Sequence, residues 1–151
     1  MRKSLLFVLA LLAATAIPVL EGQAPAAEPE INMDSGLAIH GYDPVAYFRW
    51  GEPREGLEEY ALEWKGAVWR FVDQENLDAF RAEPEAHAPQ YGGYCAWAVS
   101  KGYLADIDPR AWTIYKDKLY LNYSLSVREQ WNEQRQASIA KADANWPGVL
   151  E

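Results

Sequence analysis

An α+β fold is predicted by three features of this sequence. Two segments alternate apolar and polar side chains with the period of a strand, and each folds back at a two-residue turn. Short stretches with helix-start signals and helical spacing lie between and around them. A long amphipathic stretch closes the chain. The expected architecture is a small single domain. Two β-hairpins form one antiparallel sheet, packed by short helices and a long C-terminal helix.

The chain begins with a basic pair, Arg2 and Lys3. An uncharged apolar run follows from Leu5 to Ile17, ended by Pro18. This is the length of a signal-peptide core and is short for a membrane span, which needs about 20 residues. Ala24-Pro25-Ala26 supplies small residues for cleavage, and Ala16 offers an earlier position. Residues 1–26 are therefore read as a cleaved signal peptide, making the mature protein periplasmic or secreted with no stable membrane span after processing. No Cys follows the apolar run, so lipoprotein processing is not indicated. Residues 27–35, rich in Pro, Glu, Asn and Ser, read as a flexible N-terminal arm. Residues 36–147 form the domain.

Asp43-Pro44 starts the first helix, with Asp as N-cap and Pro at the first helical position. Gly51-Glu52-Pro53 ends it. In the first hairpin, Lys65-Gly66 is the turn. Trp64 then faces Ala67, Leu62 faces Trp69 and Tyr60 faces Phe71, all on one side. Asp73 caps a short helix carrying Leu77 and Phe80, and Pro84 stops it. The glycine pair Gly92-Gly93 precedes a helix expected over 94–100. The second hairpin spans Trp112 to Tyr123, turning at Lys116-Asp117, with Trp112 and Ile114 facing Leu121 and Leu119. The C-terminal helix is expected from Leu125 to Asn145. Ser126 and Glu129 match a capping box, and Val127, Trp131, Ile139, Ala142 and Trp146 trace one stripe.

Composition narrows the functional classes. The chain has 151 residues, half of them apolar, and a formal net charge of −8. That suits a single domain with its own core. It excludes nucleic acid as a natural partner, since phosphate binding needs a basic patch. No nucleophile elbow, phosphate loop, dinucleotide fingerprint or paired-His zinc helix is present. A non-enzymatic role is therefore expected over an enzyme.

Several motifs, in order, carry a family resemblance. They are Gly41-Tyr42-Asp43-Pro44-Val45-Ala46-Tyr47-Phe48, Trp64-Lys65-Gly66-Ala67, Phe80 with Pro84, and Pro89-Gln90-Tyr91-Gly92-Gly93-Tyr94-Cys95-Ala96. Asp108-Pro109-Arg110-Ala111-Trp112, Leu119-Tyr120-Leu121-Asn122-Tyr123 and Ala142-Asp143-Ala144-Asn145-Trp146 extend them. The chain resembles the secreted YHS-domain proteins of bacteria over about residues 36–147. The resemblance implies a small α+β domain. Its shorter relatives occur in metal-handling proteins, including copper-transporting ATPases, and carry paired cysteines. This sequence has a single Cys, and His87 stands where the resemblance leads one to expect Tyr.

Three sets of residues are candidates for chemistry. Cys95 is a soft ligand for copper or zinc, a reactive thiol if a helix N-terminus lowers its pKa, or a small buried hydrophobe. His40 and His87, the only imidazoles, could complete a mixed site with Cys95, or sit hydrogen-bonded at the surface. Tyr42, Asp43, Tyr47, Tyr91, Gly92, Gly93 and Tyr94 could line a pocket with hydroxyl tips. They could equally be core residues, with Asp43 a helix cap. Asp106 and Asp108 form only a weak cation pattern. The expected function is an exported YHS-like binding domain whose ligand the sequence does not fix, with a copper or zinc ion as one candidate. The competing readings are a thiol redox protein acting through Cys95 and a module docking a periplasmic protein partner.

Overall fold

The computed structural model describes residues 26–151. The expected signal segment lies outside the described residues except for Ala26. No helix among the described residues is long and apolar enough to cross a membrane.

The first hairpin joins β3 (Leu57–Trp64) to β4 (Ala67–Phe71), following β1 (Met33–Asp34) and β2 (Leu37–Ala38). Lys65 and Gly66 both have positive φ, 50° and 76°, as a mirror-image two-residue turn demands. Trp64 pairs with Ala67 and Leu62 with Trp69, as the alternation predicts. Further along, the expected Tyr60–Phe71 pair does not form, and Phe71 pairs with Leu57 instead. The backbone before β3 is held elsewhere. Asp43 N–H donates to the Arg54 carbonyl and Gly56 N–H to the Gly41 carbonyl, both at 2.8 Å. Gly56 lies so close to Arg70 that a Cβ would sit 2.3 Å from its carbonyl carbon. Only glycine permits that approach, and the intervening residues bulge out of the ladder.

The segment expected to be a loose arm is docked. Ile31 is 2 % exposed, and Asn32 N–H donates to the Gly92 carbonyl at 2.8 Å. β1 pairs antiparallel with β2, and β2 runs parallel to β4 through Leu37–Val68. The sheet is therefore mixed, in the order β1-β2-β4-β3. The second hairpin, β5 (Asp108–Tyr115) and β6 (Lys118–Asn122), forms a separate two-stranded ladder. This corrects the expectation of one antiparallel sheet. A strand edge needs partners for its amides and carbonyls, and β2 supplies them to β4. Within β5–β6 the expected pairs hold: Trp112 faces Leu121 and Ile114 faces Leu119. Lys116 and Asp117 both take positive φ, 50° and 59°.

The helices follow their local signals closely at the start. Helix α1 (Pro44–Trp50) is capped by Asp43 and ended by Gly51 in the left-handed region. Helix α2 (Gln74–Ala82) is capped by Asp73, which accepts from Asn76 N–H at 2.8 Å. Pro84 ends that helix and opens a single turn, α3 (Pro84–His87). The helix after the glycines, α4 (Ala96–Ser100), begins two residues later than expected. The long C-terminal helix is two pieces, α5 (Leu125–Glu133) and α6 (Arg135–Asn145), broken at Gln134. Its cap is Ser124, which accepts from Val127 N–H at 3.2 Å, and not Ser126. The two pieces pack differently, α5 on β5, β6 and α4 and α6 chiefly on α4, so tertiary contact overrides propensity at the break.

Two apolar clusters hold these layers together. In one, Trp69 and Phe71 of the sheet meet Phe80 of α2 with ring centroids 5.2 Å apart in each pair. In the other, Trp131 of α5 stacks on Tyr120 of β6 at 5.0 Å, with Tyr91, Tyr94, Val99 and Ala142 around them.

Candidate functional site

The residues singled out by sequence do not form one site. Cys95 is 1 % exposed and is the residue preceding α4. Its Sγ lies 3.6 Å from Asn122 Oδ1 and accepts from Tyr123 N–H at 3.3 Å. Burial raises its thiol pKa against the opposing backbone hydrogen bonds. The thiolate needed for nucleophilic attack is thus disfavoured. Over it lies an almost wholly apolar depression of about 240 Å³ between Trp97, Tyr103, Tyr123 and Val127.

His40 and His87 are held by other partners. His40 Nε2 is 2.9 Å from Asp106 Oδ1, and its own backbone is left-handed at φ 56°. Asp106 also accepts from Asn32 Nδ2 and from its neighbour Ile107 N–H. Burial pushes its carboxyl pKa up, but these donors and His40 outweigh that and hold it below the ordinary value. His87 Nδ1 faces the Glu83 carbonyl at 3.0 Å, and its ring meets Phe48 edge-on at 5.7 Å. Among the described residues, no three His, Cys, Asp or Glu side chains converge to hold a metal ion.

Asp43 is a structural keystone. It is fully buried, yet its two oxygens accept four hydrogen bonds. Oδ1 takes Val45 and Ala46 N–H at 2.8 and 3.1 Å. Oδ2 takes Val72 N–H at 2.8 Å and Asn76 Nδ2 at 2.7 Å. One carboxylate thereby ties α1, the end of the first hairpin and α2 together. The tyrosines are likewise anchored. Tyr47 O–H donates to the Pro109 carbonyl and Tyr94 O–H to the Pro29 carbonyl, each at 2.9 Å. Tyr42 O–H reaches Glu55 at 3.4 Å. Gly93, at φ 83°, sits against Ile39 where a Cβ would lie 2.7 Å from that side chain.

Tyr91 and Gly92 alone of the proposed pocket set line a polar cleft of about 390 Å³. Its size falls within the roughly 300–1,000 Å³ range of small-molecule sites. One wall is Glu30 and Ile31, another is Trp64 and Lys65 at the hairpin turn. Asp143 and Trp146, from α6 and just beyond it, close the far side with Lys118. Tyr91 O–H donates to Asp143 at 2.8 Å, and burial first, then this bond, raises the phenol pKa. Lys65 Nζ bridges Glu30 at 2.7 Å and Glu85 at 3.2 Å. Both tryptophans are half-buried, so part of each ring faces the cleft.

Sequence reasoning missed most of this wall. Trp64 read as a hairpin core residue and Trp146 as the end of a helical stripe. Lys65 entered only as the turn residue of the Trp64–Ala67 motif and Asp143 only through the Ala142–Trp146 motif, and Glu30, Glu85 and Lys118 carried no local motif. Their one shared trait is aromatic or charged character, which is too common to mark a site.

Fold and cleft together define a class: a small α+β domain with an aromatic-walled polar cleft and a buried, hydrogen-bonded cysteine. No family model, no curated protein and no solved structure matches the chain.

Proposed function

We propose that this chain is an exported, non-catalytic binding domain of the YHS type, with its ligand seat in the cleft at Tyr91 and Gly92. One observation carries the reading. Five segments far apart in sequence converge there and line one cleft with charged side chains and two half-buried tryptophans. A cavity of this size falls within the range of small-molecule sites. The ordered motifs from Gly41 to Trp146 support the YHS assignment. The basic n-region and apolar run support export. The buried thiol and the separated histidines lend no support to a copper or zinc seat at Cys95, or to redox chemistry there.

Two measurements test this. Mass spectrometry of the protein from the periplasmic fraction should find an N-terminus near Ala27; an intact Met1 would refute export. A screen of neutral, acidic and basic small molecules, read through the indole N–H resonances of the isotope-labelled protein, should shift Trp64 and Trp146. Hits that leave both unmoved and gather elsewhere would refute the cleft.

A further inference from the structure

The depression over Cys95 is built by hydrogen bonds that converge on that one residue and its neighbours. Cys95 N–H donates to the Ala105 carbonyl at 2.9 Å, and its Sγ accepts from Tyr123 N–H at 3.3 Å. Trp97 N–H donates to Oδ1 of the fully buried Asn122 at 3.1 Å, and Tyr103 N–H to the Ala98 carbonyl at 3.2 Å. The segments carrying Trp97, Tyr103, Ala105 and Tyr123 are thereby fixed around the thiol, and Val127 of α5 completes the rim. Walls set in advance spare a ligand the cost of ordering them.

Those walls are open to solvent and free of charge. Tyr103 and Tyr123 are 52 % and 60 % exposed, and Leu125, at the start of α5, is open beside them in sequence. Other surface rings are covered by the chain's own cations: Lys65 lies over Trp64, and Lys116 and Arg135 lie over Tyr115. Among the described residues no cation lies over Tyr103 or Tyr123. Lys101 lies over Trp97, 4.2 Å from the ring centroid, and does not line the hollow. Apolar side chains gathered round a hollow, unlike single exposed ones, mark a place of contact.

Charge and size decide what fits there. Among the described residues no charged side chain lines the hollow, so an ion entering it sheds water and gains no partner. Its volume is about 240 Å³, whereas an apolar cavity of about 150 Å³ holds benzene. That is room for one or two rings and too little for a helix or strand. Trp97, Tyr103 and Tyr123 can meet such a ring in edge-to-face and offset contacts, which a saturated molecule of the same size forgoes. We infer that the depression is a second binding site, taking an uncharged aromatic molecule of one or two rings, with Cys95 as its floor and Tyr103 and Tyr123 as its walls. It is separate from the cleft at Tyr91, and each site has its own indole reporters.

The test titrates the purified, isotope-labelled protein with indole, 2-naphthol and benzyl alcohol. Benzoate and benzylamine are the charged matches for the single ring, and cyclohexylmethanol is its saturated match. The neutral rings should shift the Trp97 indole N–H resonance and leave Trp64 and Trp146 in place. Benzyl alcohol should bind at least about tenfold tighter than its charged and saturated matches. Tyr103→Ala and Tyr123→Ala, both at exposed positions, should each weaken 2-naphthol binding about tenfold. Leu57→Ala, an exposed apolar residue on β3, should leave it unchanged. If no neutral ring moves Trp97, the inference is overturned. Equal affinity for a charged or saturated match overturns it, as does binding that survives both tyrosine variants. Neutral rings that move Trp64 and Trp146 instead belong to the cleft and overturn the depression alone. A Trp97 resonance that moves with protein concentration and not with ligand marks a contact between copies of this chain, and overturns it too.

Discussion

Removing the Asp43 carboxylate should unfold more of this protein's stability than any other single polar change. In Asp43→Ala, Val45 and Ala46 N–H at the start of α1 lose their cap, which costs about 0.5–2 kcal/mol. Val72 N–H and Asn76 Nδ2 lose their acceptor inside the fold, and each donor left unpaired costs about 1–3 kcal/mol. Relief from burying a charge offsets part of this. The net expectation is a loss of about 3–5 kcal/mol, against a total of about 5–15 kcal/mol for a domain. Asp43→Asn separates the two contributions. Its carbonyl oxygen can keep the cap, but its amide then meets two donors, so about 2–3 kcal/mol should be lost. Urea unfolding, followed by tryptophan fluorescence and by circular dichroism, gives the midpoint and slope. A loss below about 1 kcal/mol for Asp43→Ala would show that water or a shifted backbone replaces the carboxylate, and would refute its keystone role.

Three further outcomes follow from the geometry. Trp69, fully buried and donating through Nε1 to the Trp64 carbonyl at 3.1 Å, should cost about 3–5 kcal/mol on replacement by Ala; a loss under about 1 kcal/mol in urea would contradict its place in the core. The Cys95 thiol should react with an aromatic disulfide reagent only as the protein opens; rapid reaction in the folded state, or one-to-one copper(I) or zinc uptake lost in Cys95→Ser, would contradict the buried-thiol assignment. The folded Asp106 pKa lies below its ordinary value of 3.8, so on acidification the unfolded chain takes up the proton first. The stabilisation is full above that ordinary value and is lost as pH falls through the folded value. Asp106→Asn should flatten the acid arm of the stability curve, and superimposable arms for variant and wild type would refute this.

The hairpin turns, the pairs nearest them and the Asp43 and Asp73 caps were determined by the sequence itself. Each rests on residues within a few positions of one another: alternation about Lys65-Gly66 or Lys116-Asp117, and a side-chain oxygen three residues from an orphan N–H. The α+β class follows from the same local patterns. What lay beyond that range was decided by the tertiary structure. The Tyr60–Phe71 pair was lost because residues 54–56 are held by 41–43 and Gly56 presses on Arg70. One sheet became two because Leu37–Ala38 covers the edge of β4 and is itself paired by Met33–Asp34, which lie in the segment 27–35 that read as an arm. The C-terminal helix broke at Gln134 because its halves pack differently. The candidate site shows the same division. Residue type alone left Cys95, His40 and His87 open to metal, redox or structural roles, since those roles differ in burial and partners. The cleft joins Glu30, Lys65, Tyr91, Lys118, Asp143 and Trp146, and separations of that size leave no periodicity for a sequence to display.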